Sequence, residues 1–365
     1  MTSKIVLENL KHRPMRSLLS ILLIAVPVTL ILCLIGLSTG LLEDGKARSR
    51  GIGADLMIRG STSGSVASFS ATSIPEALVA RLEQQPHVQM AIGVVVHPFE
   101  VVLNVMGVDL DQFNRMSGGF TYLAGGPLRR PYDVLIDEYF AAQKHLKAGD
   151  TYRMLNHDWR ITGIIAGGKL SRIVVKKEVL QELDAATNKV TFIYVKCDRP
   201  SQADEVKAQL QSLLPGYPIY TMEEVTSMFS VNNVQGLSQF IAVIVGIGVI
   251  IGFAVVCLSM YMAVLQRTRE IGILKSLGAS NGFILGMILS EALMMALGGT
   301  ALGILLSYGA TWLIHVFAPA ALPMAIVKTW WPIAGGVTMV GAALGALYPG
   351  LAAARHDPIE ALAYE

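Results

Sequence analysis

The stretch "RTREIGILKSLGAS", residues 267–280, crowds Arg267, Arg269, Glu270 and Lys275 between an apolar run ending at Leu265 and another that begins by Phe283. Charges so placed can fix the register of a docked protein surface, and Ile271, Leu274 and Leu277 recur at helical spacing to offer it an apolar face. Thr268 stands at the start of that helix, and Gly278 suits the turn that would end it. The chemistry is recognition. The plainer role of the same charges is to orient the chain in a membrane. No catalytic constellation competes: the sequence holds no H-E-x-x-H, and its G-x-S-x-G, "GLSTG" at 36–40, lies in an apolar stretch and not at a strand-to-helix turn. The nearest approach to a phosphate-binding loop, "GGKLS" at 167–171, lacks the hydroxyl beside its lysine. His87, His97, His145 and His157, with Met222 and Met228, lack metal-ligand spacing and read as surface or structural residues. No cofactor or metal is therefore assigned to this chain.

The elements that must position the stretch follow from composition. With 53% hydrophobic and only 15% charged residues, the chain falls outside the ordinary soluble class. A spanning helix needs roughly 20 mainly apolar residues. The runs 18–37, 240–265, 284–316 and 330–353 qualify. The third is long for one crossing, so its start, 281–289, is expected to lie in the interface before the helix turns inward. The first follows Lys11, Arg13 and Arg16 but exceeds a signal core of roughly 7 to 15 residues, so it reads as a retained helix, kinked at Pro27. A net charge of +2 gives no reason to expect nucleic acid. Cys33 and Cys257 lie inside spans and Cys197 between them, which suggests no disulfide framework.

Lys and Arg in short flanks set orientation. Lys4, Lys11, Arg13 and Arg16 precede the first span, Arg267, Arg269 and Lys275 follow the second, and Arg355 follows the fourth, whereas the loop between the third and fourth carries only Lys328. Both termini are expected in the cytoplasm. The expected division is a cytoplasmic segment 1–17, span 18–42, extracytoplasmic domain 43–235, span with stalk 236–266, cytoplasmic helix 267–280, span 281–316, short outer loop 317–329, span 330–354 and cytoplasmic tail 355–365. The fold class is an α-helical membrane protein with four transmembrane helices in a 1+3 arrangement, and an α+β domain between the first two. Within that domain, 54–60, 99–108, 159–167 and 191–197 read as strands. The stretches 75–86 and 201–214 read as helices, with Pro75 in the opening turn of the first and Ser201 capping the second. A Ser/Gly-rich loop occupies 60–73, and 222–240 has the near-helical spacing of a stalk.

Glycines four apart, Gly248 and Gly252, Gly299 and Gly303, Gly341 and Gly345, allow close helix packing, either within one subunit or between two. Glu291 is an acid in an apolar run near the start of the third span, read as interfacial or structurally paired. In the tail, Asp357, Pro358, Ile359 and Leu362 read as a capped short helix with a small apolar face.

"QRTREIGILKSLGAS" after the second span, the tail "YPGLAAARHDPIEALAYE" at 348–365 and "DVLIDEYFAAQKHLKAGDTYRMLNHDWRITGIIAG" at 133–167, joined to the 1+3 layout, resemble the MacB/FtsX-type permease subunits of ABC transporters. The resemblance implies a separate ABC ATPase in two copies, which carries ATP and Mg. It also implies a homodimer in which the first two spans meet near the two-fold axis, with Gly248 and Gly252 close to it. Residues 268–277 would be the coupling helix that docks on the ATPase, and the tail a second contact. The implied activity is ATP-driven export or extraction of a hydrophobic or amphipathic substrate such as a lipid, lipoprotein, haem or toxin, with a periplasmic adaptor as a further partner. The alternative in the same family is a mechanotransmitter that activates a cell-wall hydrolase and transports nothing. The implied location is the bacterial inner membrane. Glu270→Lys is expected to leave the protein folded and inserted yet uncouple its ATPase. Association and turnover in a reconstituted complex check this, and a normal complex would remove the docking assignment.

Overall fold

The computed structural model describes residues 14–60, 73–100, 103–228, 237–266, 268–320 and 322–355. The chain divides into a helical unit, Met1–Thr39 with Gly236–Leu313 and Met324–Glu365, and a sheet unit, Gly40–Gln235 with Ile314–Pro323. In chain order one long helix, α1 (Pro14–Gly51), leads into the sheet unit, and three long helices follow it. The sheet unit runs β1 (Leu56–Arg59), β2 (Ile74–Pro75), α2 (Ala77–Glu83), β3 (Val88–Phe99), β4 (Leu103–Val108), α3 (Leu110–Ser117), β5 (Tyr122–Gly125) and β6 (Asp133–Asp137). It continues with α4 (Glu138–Lys144), β7 (Thr151–Met154), β8 (His157–Ile165), β9 (Ile173–Lys176), α5 (Lys177–Leu183), β10 (Lys189–Val190), β11 (Phe192–Cys197), α6 (Ala203–Leu213), β12 (Ile219–Thr221) and α7 (Met222–Met228). The helical unit adds α8 (Leu237–Gln266), α9 (Thr268–Ser276), α10 (Asn281–Phe317) and α11 (Trp330–Arg355).

Helices α1, α8, α10 and α11 are each long and apolar enough to cross a membrane. α10 is one helix of 37 residues from Asn281 onward. At 1.5 Å per residue it spans about 55 Å, well beyond a hydrocarbon core of about 30 Å. It runs through 281–289 without a break. α1 likewise outruns its expected end at 42 and stays helical to Gly51, because the charged stretch "EDGKARSRG" is as compatible with helix as the apolar one before it.

Small residues bring the long helices together. A Cβ on Gly303 would lie 2.8 Å from Val28 Cβ and 3.0 Å from the Ala25 carbonyl, and Thr29 Oγ1 donates to the Gly303 carbonyl at 3.1 Å. A Cβ on Gly345 would lie 2.7 Å from the Phe253 carbonyl, so α11 rests directly on the backbone of α8. Ser20 and Ser259 hydroxyls pair at 2.7 Å between α1 and α8. These contacts replace a hydrophobic driving force that lipid does not supply.

In the sheet unit the strand order is β12-β1-β11-β3-β4-β9-β6-β8-β5, with β7 on β8. β3 is the shared member: Val88–Val94 pairs β11 and Val95–Phe99 pairs β4. Both faces are covered. Phe140 of α4, Leu180 of α5 and Leu210 of α6 pack with Val134, Ile136, Ile173 and Val175 on one face. Phe113 and Met116 of α3 and Met222 and Val225 of α7 pack with Leu135, Val174 and Met106 on the other. Strands buried on both sides read as continuous apolar runs without alternation, which is why β6 and β9 escape a search for period two.

Other expectations need correction. The stretch 99–108 is not one strand: Phe99 ends β3 and pairs with Leu103, which begins the antiparallel β4. Pro75 lies in β2 paired with Lys189, and Glu76 stands at the start of α2. Gln202, not Ser201, precedes α6, because a short 3₁₀ turn at Pro200–Gln202 comes first. Within 317–329 Ala320 is buried, and its N–H donates to Gln143 Oε1 of α4 at 2.9 Å. α7 opens with a reciprocal cap, in which Thr221 Oγ1 accepts from the Glu224 N–H and Glu224 Oε2 accepts from the Thr221 N–H. A hydrogen bond from Lys207, at 2.6 Å, holds the Glu224 carboxyl below its usual pKa. The expected stalk beyond Met228 crosses 229–236, which lie outside the described residues.

At the far end of α1 four charges form a ring. Arg48 Nε donates to Asp44 Oδ2 at 2.9 Å and its Nη2 to Asp137 Oδ2 at 3.2 Å; Arg172 donates to Asp137 Oδ2 at 2.9 Å and to Asp44 Oδ2 at 3.1 Å. Asp137 is fully buried and its other oxygen caps α4 by accepting the Phe140 N–H at 2.8 Å. Asp137→Ala strands two guanidiniums and is expected to cost the sheet unit about 3–5 kcal/mol. Hydrogen exchange of β6 and β9 in the full protein checks it, and undiminished protection would show the ring to be dispensable.

Candidate functional site

α9 is a helix between two membrane-length helices, and its ends are chemically marked. At the start, Thr268 Oγ1 donates to the Val264 and Leu265 carbonyls at 3.1 and 2.9 Å, satisfying the last turn of α8. At the end, Gly278 has φ +97°, its N–H reaches the Lys275 carbonyl, and the Ala279 N–H reaches the Leu274 carbonyl, both at 3.0 Å. That pair of bonds is a Schellman stop, which needs a left-handed residue and so favours glycine. Two residues on, Ser280 Oγ accepts the Phe283 N–H at 3.2 Å and caps α10. "SLGAS" is therefore a stop and a start in one turn.

The structure divides the apolar face read from the sequence. Ile271 is buried, 6% exposed, among Val264 and Met260 of α8, Ile284 and Ile288 of α10 and Ala353 and Ala354 of α11. It anchors α9 to the chain's own helices and is not available to a partner. Leu274 is half-buried, and Lys275 Nζ donates to the Ala354 carbonyl at 2.9 Å, in the last turn of α11, where a cation meets the negative end of the helix. The residues left outward are Leu277, 80% exposed, and Ile273, 44% exposed, an i,i+4 pair that period counting passed over because Ile273 breaks the chosen register. Arg267, the side chains of Arg269 and Glu270, and the tail residues Asp357, Pro358, Ile359 and Leu362 lie outside the described residues.

Of the two glycines expected near a two-fold axis, Gly248 faces α1, where a Cβ would lie 3.0 Å from Ile31 Cδ1, whereas Gly252 opens onto free space. Both line a small groove with Pro27, Ile31, Phe253 and Thr338 between α1, α8 and α11. α8 is the least buried of the four long helices and shows Val243, Ile250 and Leu258 outward. Glu291 is buried inside the helical unit. Among the described residues no cluster of His, Cys, Asp and Glu could hold a metal ion.

Residues 17–213 match the family model described as MacB-like periplasmic core domain, over half of the chain, and residues 242–359 match the one described as FtsX-like permease C-terminal. The chain belongs to the MacB/FtsX-type permease family. The first match covers α1 through α6 and the second α8 through α11, so the two models meet near the boundary between the sheet unit and the three later helices. Among relatives, the uncharacterized ABC transporter permease YknZ of Bacillus subtilis is 39% identical over 153 residues, 41% of this chain and 37% of that protein. The macrolide export ATP-binding/permease protein MacB of Chromobacterium violaceum is 31% identical over 154 residues, 40% of this chain and 22% of that protein. The matched stretches thus span well under half of these relatives. The periplasmic region of MacB from Actinobacillus actinomycetemcomitans aligns with 51% of this chain and 97% of its own, at 19% identity and a TM-score of 0.38.

For this permease the inward and outward faces of α9 should separate cleanly. Ile271→Ala is expected to cost roughly 2–4 kcal/mol of helix packing, and Leu277→Ala close to nothing. Thermal unfolding of both variants in detergent checks the split; equal losses would mean that Leu277 is also a packing residue.

Proposed function

We propose that the chain is the membrane subunit of an ATP-driven ABC exporter, working as a homodimer on two copies of a separate ATPase that carries ATP and Mg. The observation that supports this best is α9: an outward pair, Ile273 and Leu277, on a helix fastened to its own bundle through Ile271 and Lys275. An apolar pair on a helix suits a groove in a partner, and neighbouring charges set its register. The fastening decides what a push on that helix does. Ile271 belongs to one buried cluster with residues of α8, α10 and α11, so in this reading displacement is shared by three long helices instead of bending one loop.

In this reading the termini and α9 face the cytoplasm of a bacterium, the sheet unit lies outside, and the tail around Asp357 and Pro358 adds a second ATPase contact. Closure of the ATPases on ATP moves the helices and the outer domains with them. The cargo is hydrophobic or amphipathic, because the groove beside Gly248 and Gly252 is apolar, and an adaptor is a further partner where an outer membrane exists. Purification of the tagged chain in nanodiscs with its ATPase separates the family's two activities: an enriched lipid, lipoprotein or pigment supports export, and a bound cell-wall hydrolase without cargo supports mechanotransmission.

Replacing Ile273 and Leu277 together by serine is expected to weaken ATPase association by about 2 kcal/mol or more, roughly thirtyfold, with insertion and melting unchanged. Association at the wild-type level in that variant would sink the assignment.

A further inference from the structure

We propose that α4, Glu138–Lys144, is the point at which the sheet unit takes up motion from the long helices, and that Asp44 and Arg48 are the positioning residues that deliver it. The proposal rests on the exporter reading above. α4 has seven residues, too few to be stable alone, so its placement is set by the burial of Phe140 and Ala141 in the core and by what holds its two ends.

Its first end is held by the ring. Each arginine donates to both aspartates and each aspartate accepts from both arginines, so the four side chains close on themselves with no net charge. Two members, Asp44 and Arg48, stand on α1, the same helix that begins at Pro14 in the apolar part of the chain. The third, Asp137, is also the cap of α4. The fourth, Arg172, immediately precedes β9, and its carbonyl accepts the Asp137 N–H at 2.8 Å. The last residue of α1 sits equally close, since a Cβ on Gly51 would lie 2.2 Å from the Gly168 carbonyl.

The second end is held by the link between α10 and α11. Ala320 is buried in the core cluster that includes Phe140 and Ala141 of α4, and its N–H donates to Gln143 Oε1. The first long helix and the connection between the last two therefore converge on one short helix. Apolar contacts can slide over one another. A ring of buried, directional charge pairs cannot, because displacing one member leaves its partners buried and uncompensated. Movement of α1 along or about its axis must carry Asp137 and the start of α4 with it.

The test removes the delivery and spares the fold. Asp44→Ala with Arg48→Ala takes away one charge of each sign and leaves the Asp137–Arg172 pair and the α4 cap in place. Hydrogen exchange of the full chain in nanodiscs with its ATPase, with and without a non-hydrolysable ATP analogue, is then compared with wild type. The expected result is unchanged basal protection of β6 and β9, unchanged ATPase association, an unchanged nucleotide response in α9, and loss of the nucleotide response in α4. An α4 response of wild-type size in the double variant overturns the latch and leaves the exporter reading standing. A wild-type complex with no nucleotide response at α9 overturns the exporter reading, and the latch falls with it. Should the double variant lose basal protection, the isosteric Asp44→Asn decides in the same assay, and an undiminished α4 response there also overturns the latch.

Discussion

Inside a bilayer there is no water to pair a peptide N–H or C=O, so every such group must be satisfied by the chain itself. That constraint makes α1, α8, α10 and α11 uninterrupted helices, and it concentrates all conformational choice at their ends. The ends are where this protein places its distinctive chemistry. Thr268, Gly278 and Ser280 finish and restart helices around α9, and Lys275 meets the last turn of α11. At the other extreme of α1, Asp44 and Arg48 meet Asp137 and Arg172.

Within the helical unit the rods are held by shape. Gly303 and Gly345 let backbones approach to distances that a methyl group would forbid, and hydroxyls such as Thr29 and Ser20 add polar contacts across the seams. Such seams give a stiff bundle without an aqueous hydrophobic effect. Ile271 lies in the same buried cluster as residues of α8, α10 and α11, so α9 shares a core with several long helices.

The sheet unit solves a different problem. It lies in the regime of ordinary soluble packing, with helices on both faces of a mixed sheet and the long strand β3 shared between its two halves. Leu135 and Val174 face one layer while Val134, Ile136, Ile173 and Val175 face the other, so a single strand ties both cores together. The result is a body rigid enough for one short helix, α4, to be held from both ends.

The sequence alone determined the four apolar helices, the mixed domain after the first, the helix at 268–277 with its glycine stop, and the family, because each depends on local composition, periodicity or a contiguous motif. It also placed strands at 54–60, 159–167 and 191–197, where alternation or β-rich composition survives. Tertiary structure alone decided the rest. β6 and β9 are hidden by burial on both faces, and the inward turn of Ile271 and outward turn of Ile273 depend on where α8, α10 and α11 stand around α9. The charge ring joins residues as far apart as Asp44 and Arg172, and the anchorage of Ala320 on Gln143 joins residues 177 positions apart. No local pattern encodes a pairing at such separation, since a single aspartate or arginine is indistinguishable from a solvated surface charge until the fold removes the water around it.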